Sequence, residues 1–274
     1  MKKNKSVLLS TPYILWMLVF TLIPLGVVGY YALTDPDTGA FTLANIQDLN
    51  MYWGVLWQSI LYSLVSAFIC LLLGYPVAYY IAQRGQTMQK ILYMLIMLPM
   101  CMSFLLRTLA WVGLLQDTGL INRFLGVFGI GPIPMIRTPG AVVLGMVYNY
   151  LPYMILPLYS TIVKIDRRLV EAAEDLGCNG INVFGRVILP LSMPGIISGM
   201  TMVFVPAVST FYISLKLGGT DTVLIGDVIE RQFKQAQNPN LGAALSIVLM
   251  VMVFVCTGIM NRFAGDDEEG GVIV

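Results

Sequence analysis

Residues 171–190 read EAAEDLGCNGINVFGRVILP, the longest polar, helix-competent interruption in an otherwise apolar chain. Asp166 stands before a run of strong helix formers, Arg167 to Leu176, and Gly177 sits where a helix is expected to stop. Such a helix is about 15 Å long at about 1.5 Å per residue, too short to cross a bilayer and too charged to bury. Ala172 and Ala173 give it a flat face, while Glu171, Glu174 and Asp175 offer charge to an arginine on another protein. After Gly177 the chain turns, and Asn182 to Leu189 reads as a second short helix ending at Pro190. Two short helices laid across a membrane face would form a rigid lever on the stretches either side. A plain solvated loop has the same charge pattern, and on that pattern alone the two readings stand level.

The flanking sequence decides the fold class. Of the 274 residues, 57% are hydrophobic and 11% charged, against about 25% charged in ordinary soluble proteins. Apolar runs recur at 7–33, 55–82, 91–115, 140–163, 191–215 and 241–261. A helix of about 20 such residues crosses a hydrocarbon core. The expectation is an all-α polytopic membrane protein with six transmembrane helices. It would form one domain over 1–274 with core spans at about 55–261, a loop at 163–190 and an acidic tail at 263–274. The Met-Lys-Lys-Asn-Lys start resembles a signal peptide. Its apolar run continues to about Leu33 with no small-residue cleavage site, so an uncleaved first span is expected. The Gly- and Pro-rich segment 116–139 contains LINRFLGVFGIGPIPMI, which reads as an interfacial helix or a shallow re-entrant piece.

Several function classes drop out. With no histidine, His-based metal sites and His-dependent catalytic triads are excluded, and a net charge of +1 suggests no nucleic-acid partner. The four cysteines, Cys70, Cys101, Cys178 and Cys256, lack CxxC spacing and read as small buried hydrophobes. No GxxxxGK[ST] phosphate loop is present, so any ATP must be bound by another chain. Prolines 24, 76, 99, 152, 157, 194 and 206 lie in or near the spans and predict kinked helices around a cavity. Gly195 with Gly199, and Ala141 with Gly145, have the small-residue spacing of close helix contacts, for which ordinary packing is sufficient explanation.

Basic residues set the orientation. With a cytoplasmic N-terminus, ten of the sixteen lysines and arginines fall on the cytoplasmic side (2, 3, 5, 84, 90, 164, 167, 168, 186, 262) and six outside (107, 123, 137, 216, 231, 234). Both termini and the 163–190 loop are thereby expected in the cytoplasm.

The spacing EAA-x3-G-x9-V-x-L-P, carried by Glu171, Ala172, Ala173, Gly177, Leu189 and Pro190, resembles the EAA signature of permease subunits of bacterial ABC importers. The usual isoleucine is Val187 here. The resemblance implies the type I importer permease (MetI-like) fold, and a coupling helix docked on a dimer of ATP-binding cassette subunits. It also implies a second homologous permease subunit, a periplasmic or extracellular binding protein, and a bacterial plasma membrane location. It implies no catalytic role and no cofactor. Further stretches, among them GYPVAYYIA (74–82), VPAVSTFYIS (205–214) and GGTDTVLIGDVIERQF (218–233), resemble spermidine/putrescine permeases. The binding protein would then be a polyamine-binding protein.

A flexible polycation is held by carboxylates and by aromatic faces, each cation–π contact contributing about 0.5–2 kcal/mol. Tyr148, Asn149, Tyr153, Phe211, Tyr212 and Asp227 are the candidate path residues, with Tyr150, Asp221 and Glu230 near them in sequence. An interfacial aromatic belt would explain Tyr148 and Tyr150 equally well. A solvated surface or contact with the binding protein would explain Asp227 and Glu230. Arg107 and Lys216 oppose a cationic cargo, unless they snorkel at an outer end or pair with Asp117 or Asp221. A permease of the same family for iron, phosphonate or thiamine is the main alternative. An ion-coupled secondary transporter is disfavoured by span centres without carboxylates, and an intramembrane enzyme by the absence of histidine and of a buried acid pair.

Overall fold

The computed structural model describes residues 12–13, 15–35, 39–42, 45, 48–236 and 238–262. The acidic tail and Lys2, Lys3 and Lys5 lie outside the described residues. Helix α1 (Ile23–Ala32) continues a π-helical turn, Leu18–Leu22, and α2 (Trp53–Ala82), α3 (Gln86–Met97), α4 (Phe104–Leu115) and α5 (Leu120–Val127) follow. Next come α6 (Pro139–Ile162), α7 (Arg167–Asp175), α8 (Gly180–Val183), α9 (Met193–Val208), α10 (Tyr212–Leu217), α11 (Ile225–Lys234) and α12 (Pro239–Arg262).

Four stretches are long and apolar enough to cross a membrane unbroken: Leu15–Ala32, Leu49–Ala82, Pro139–Ile162 and Pro239–Arg262. Two bent helix pairs bring the number of crossings to six when each pair is taken as one span. The protein is therefore a multi-pass, all-α membrane protein.

Two expected spans differ from a single helix. The third is broken at 98–103, where Gln86–Cys101 and Phe104–Val127 meet at 86°. Pro99 lies in a 3₁₀ turn, Leu98–Cys101, and Met102 is extended (ψ 147°), so the hydrogen-bond ladder stops where proline lacks its N–H. The fifth ends at Val208 instead of near residue 215. Pro206 lies in its last turn, and the Ser209 hydroxyl donates back to Val205 O (3.2 Å) and Pro206 O (3.4 Å), which competes with continuation of the helix. α10 resumes after an irregular Ser209–Thr210–Phe211.

The chain divides into two units, residues 1–56 with 228–252, and residues 57–227 with 253–274. In the first, the Asn45 side-chain amide donates to Ala32 O (3.2 Å) and Thr34 O (2.9 Å). Asn240 donates to the same Thr34 carbonyl at 2.5 Å. Lys234 Nζ and Glu230 Oε1 pair at 2.9 Å on α11.

The second unit is built around α6, where Met146, Met154 and Leu158 are fully buried. Thr138 caps it by accepting from Ala141 N at 3.2 Å. Glycines set its contacts. A Cβ at 195 would lie 2.7 Å from Thr161 Oγ1 and 3.1 Å from Pro157 O, and one at 199 would lie 2.6 Å from Met154 Sδ. A Cβ at 145 would lie 2.5 Å from Leu217 Cδ1. The glycines thus let α9 pack backbone-close on α6 and let the Leu217 and Ile213 side chains of α10 seat against α6. α2 joins α6 through Ser66 Oγ to Met146 Sδ (3.4 Å) and Cys70 Sγ to Val147 O (3.7 Å). Of the cysteines only Cys70 is buried; Cys101 is exposed and Cys178 and Cys256 are half-buried, all four free. Cys101 is exposed because its whole stretch packs little against the rest of the chain: no residue of α3 or of the 98–101 turn is buried.

Candidate functional site

The EAA stretch folds as its spacing predicts. Asp166 Oδ1 accepts from Arg168 N at 3.0 Å and starts α7. At the other end Gly177 adopts φ +85°, its N–H meets Glu174 O at 2.8 Å, and Cys178 N meets Ala173 O at 3.1 Å. This is the Schellman closure, in which a left-handed residue satisfies the last carbonyls. The second helix begins earlier than expected, at Gly180, because Asn179 Oδ1 accepts from Asn182 N at 3.0 Å. It runs through a π-helical turn, Phe184–Ile188, to Leu191, and meets α9 at 65°.

No residue of α7 is buried. Leu176 and Ile181, on either side of the Gly177 turn, are 86% and 81% exposed. Both are large apolar side chains at the edge of a polar segment. Glu171 and Glu174 line a cavity of about 680 Å³ with Arg84, Gln89 and Arg167. Ala172 is exposed, Ala173 and Leu189 are half-buried, and Pro190 is exposed. The loop is anchored by Phe184, whose ring meets Tyr75 edge-on at 5.3 Å and Tyr79 at 6.1 Å.

Four of the six path candidates come together. Asn149, Tyr153, Phe211 and Tyr212 line one cavity of about 400 Å³ with Phe104, Arg107, Tyr150, Ser209 and Thr210. Tyr148 does not: its ring packs edge-on against Trp111 at 5.4 Å. Asp227 does not either. It is buried, and its Oδ2 accepts from Leu224 N at 3.0 Å, closing the start of α11 as half of a capping box. Ile225 N donates to Ser59 Oγ at 2.8 Å beside it. The side chain of Asp221 lies outside the described residues.

The cavity sits where α9 gives way to irregular backbone, and the carbonyl end of a helix carries partial negative charge. Tyr150 reaches that end, donating to Pro206 O at 3.3 Å. Lys216 Nζ lies 5.8 Å from the Tyr212 ring centre, and among the described residues no acid pairs with it. Arg107 departs further from expectation. It is 7% exposed, and its Nε and Nη1 have no hydrogen-bond partner. Among the described residues no carboxylate pairs with it. Asn149 is 1% exposed, with its amide NH₂ on Gly145 O (2.9 Å) and Oδ1 unpartnered. Sequence reasoning left Ser209, Thr210 and Phe104 out of this site. The Ser-Thr pair after Pro206, inside an apolar run, is the signal that finds the first two.

Residues 71–265 match the family described as "Binding-protein-dependent transport system inner membrane component". The chain is 38% identical over 247 residues to the spermidine/putrescine transport system permease protein PotB of Escherichia coli (strain K12), covering 87% of this chain and 90% of that protein. Against PotB of Haemophilus influenzae it is 40% identical over 247 residues, covering 87% and 86%. Among solved structures it is similar to a chain of a bacterial ABC transporter involved in import of the acidic polysaccharide alginate, with TM-score 0.76, 19% identity and 96% of each chain covered. It is also similar to a chain of the inward-facing MetNI methionine ABC transporter, with TM-score 0.57, 16% identity and 78% and 96% covered. These two likenesses are of fold.

Proposed function

This chain belongs to the inner membrane components of binding-protein-dependent transport systems, and from that premise we propose that it forms half of a polyamine import path. Its loop 163–190 would be moved from the cytoplasmic side by an ATPase dimer. The family assignment makes it a membrane subunit that works with a separate ATPase and a binding protein. The finer reading is ours. The second permease is a homologous, PotC-like subunit; the binding protein delivers spermidine or putrescine. Both termini face the cytoplasm, and residues 1–274 act as one permease domain with an acidic cytoplasmic tail at 263–274.

In this reading Glu171, Ala172, Ala173 and Gly177 meet a cleft on the ATPase, with Leu176 and Ile181 supplying apolar contact. Leu189 and Pro190 carry the motion toward α9. The gap between Gly177 and Pro190 is bridged by helix, so displacement is transmitted, not absorbed. Tyr153, Phe211 and Tyr212 present ring faces to an ammonium group and Asn149 Oδ1 accepts its hydrogen, while Tyr148 and Asp227 support the site from outside the cavity.

The observation that carries the cargo reading is the match along nearly the whole chain to spermidine/putrescine permeases, with the aromatic wall as its physical counterpart. The test is the reconstituted complex in proteoliposomes, supplied with binding protein loaded with spermidine, a sugar or iron. ATP hydrolysis should rise with the spermidine-loaded protein alone. No rise with any polyamine sinks the cargo assignment while leaving the coupling assignment standing.

A further inference from the structure

Arg107 presents a problem that none of the described residues solves. Its guanidinium is buried in the cavity at the end of α9, with Nε and Nη1 unpartnered. A guanidinium stays protonated under all ordinary conditions, and an isolated buried charge is strongly unfavourable unless an anion meets it. Ionisable groups within membrane spans are accordingly found paired. The side chains around it are Phe104, Asn149, Tyr150, Tyr153, Thr210 and Phe211. None is acidic, and Lys216, over the Tyr212 ring, adds a second positive charge nearby. The cavity is open on one side: Tyr153 and Phe211 are both exposed to a similar degree.

We propose that the second permease subunit closes this cavity and lays a carboxylate side chain against the Arg107 guanidinium. This pairing rests on the polyamine reading in one respect. A polyamine brings no carboxylate of its own, so the anion must come from protein. The pair then has a use in transport. An arriving ammonium group, held by the tyrosine and phenylalanine faces, competes with Arg107 for the same carboxylate. The ion pair between subunits is thereby exchanged for one with the cargo, and it re-forms when the cargo leaves.

The test reads association of the two permease subunits in the purified full complex, as the half-life of the pair in detergent. R107Q and R107E should shorten it by at least about tenfold, the scale for losing one partner of a buried charge pair. R107K should keep most of it. An acid-to-lysine scan across the spans of the second subunit should contain a change that restores R107E while weakening the wild type. Unaltered gel-filtration profiles of each variant chain on its own guard against simple misfolding. A half-life unchanged in R107Q and R107E overturns the proposal, as does a scan in which no change restores R107E. So does a longer half-life of the wild-type pair in added glutarate, because a free carboxylate should compete for Arg107 and shorten it. The readout requires no transport, so a wild-type complex that fails to import spermidine counts against the cargo reading alone.

Discussion

The Tyr75 hydroxyl lies 2.8 Å from Ser192 Oγ, joining the last third of α2 to the residue where the EAA loop bends into α9. Ser192 is fully buried and also donates to Leu189 O at 2.9 Å. Removing the phenol oxygen leaves Ser192 one partner and the Phe184 ring contact intact. Tyr75→Phe should cost about 1 kcal/mol, the usual net value of one such bond. We expect it to lower uptake per ATP hydrolysed while the protein remains in the membrane, measured as paired uptake and hydrolysis rates. Equal ratios in variant and wild type would show that the bond is only structural.

Gly177 holds φ +85° with open space around it, so the penalty for replacing it is conformational and not steric. Asn tolerates this region, whereas a β-branched residue resists it at roughly 1–2 kcal/mol. The order of retained uptake should be Gly, Asn, Val, with Gly177→Pro abolishing it. Membrane levels on immunoblots should stay level across the series. Val retaining more uptake than Asn would remove the left-handed turn from the explanation.

Glu171 is exposed on α7 and borders the cavity that holds Arg84 and Arg167. Charge reversal there should not unfold anything. Glu171→Lys is expected to abolish uptake and to reduce co-purification of the ATPase, with the permease still inserted. Normal uptake with the ATPase bound would refute the docking role.

Tyr153 and Phe211 line the cavity and Tyr148 does not. Losing one cation–π partner at about 0.5–2 kcal/mol corresponds to roughly 2- to 30-fold in affinity. Tyr153→Ala and Phe211→Ala should raise the apparent KM for loaded binding protein within that range, and Tyr148→Ala should leave it unchanged. A shift confined to Tyr148→Ala would relocate the path.

Asp227 closes the start of α11 through Leu224 N at 3.0 Å. Asp227→Ala should lower the thermal midpoint of the detergent-solubilised protein, at a cost of about 1 kcal/mol, and should not alter the preference between spermidine and putrescine. A change in that preference with an unshifted midpoint would return Asp227 to the path.

The local structure of the 163–190 loop was legible because it is written in adjacent residues, Asp166 as a cap and Gly177 as a stop, and the spans because their apolar runs are long enough to cross a bilayer. The two broken spans were not. Hydropathy across 91–115 and 191–215 is continuous, and it reports how well a stretch tolerates lipid, not whether its backbone keeps one direction. Pro99 and Pro206 are the cues, but Pro76, Pro152 and Pro157 sit inside helices that continue, so proline alone does not decide. Arg107 looked like a residue at a span end. Its burial depends on α6 and on the irregular turn after α9, elements that lie 40 and 100 residues or so downstream. Asp227 was read as cargo chemistry because an acid in an outer segment suggests a cation, while its spacing of three from Leu224 pointed to a helix start.

The glycine contacts between α6 and α9 carry a mechanical consequence. The EAA loop leaves α6 at Ile162 and enters α9 at Met193. Pro157, Thr161 and Gly195, the residues at those two feet, touch almost backbone to backbone. A load applied at Gly177 therefore cannot pry the feet apart. On the proposed coupling it would act as a torque on a single two-helix plate that also carries the cavity residues Asn149, Tyr150 and Tyr153.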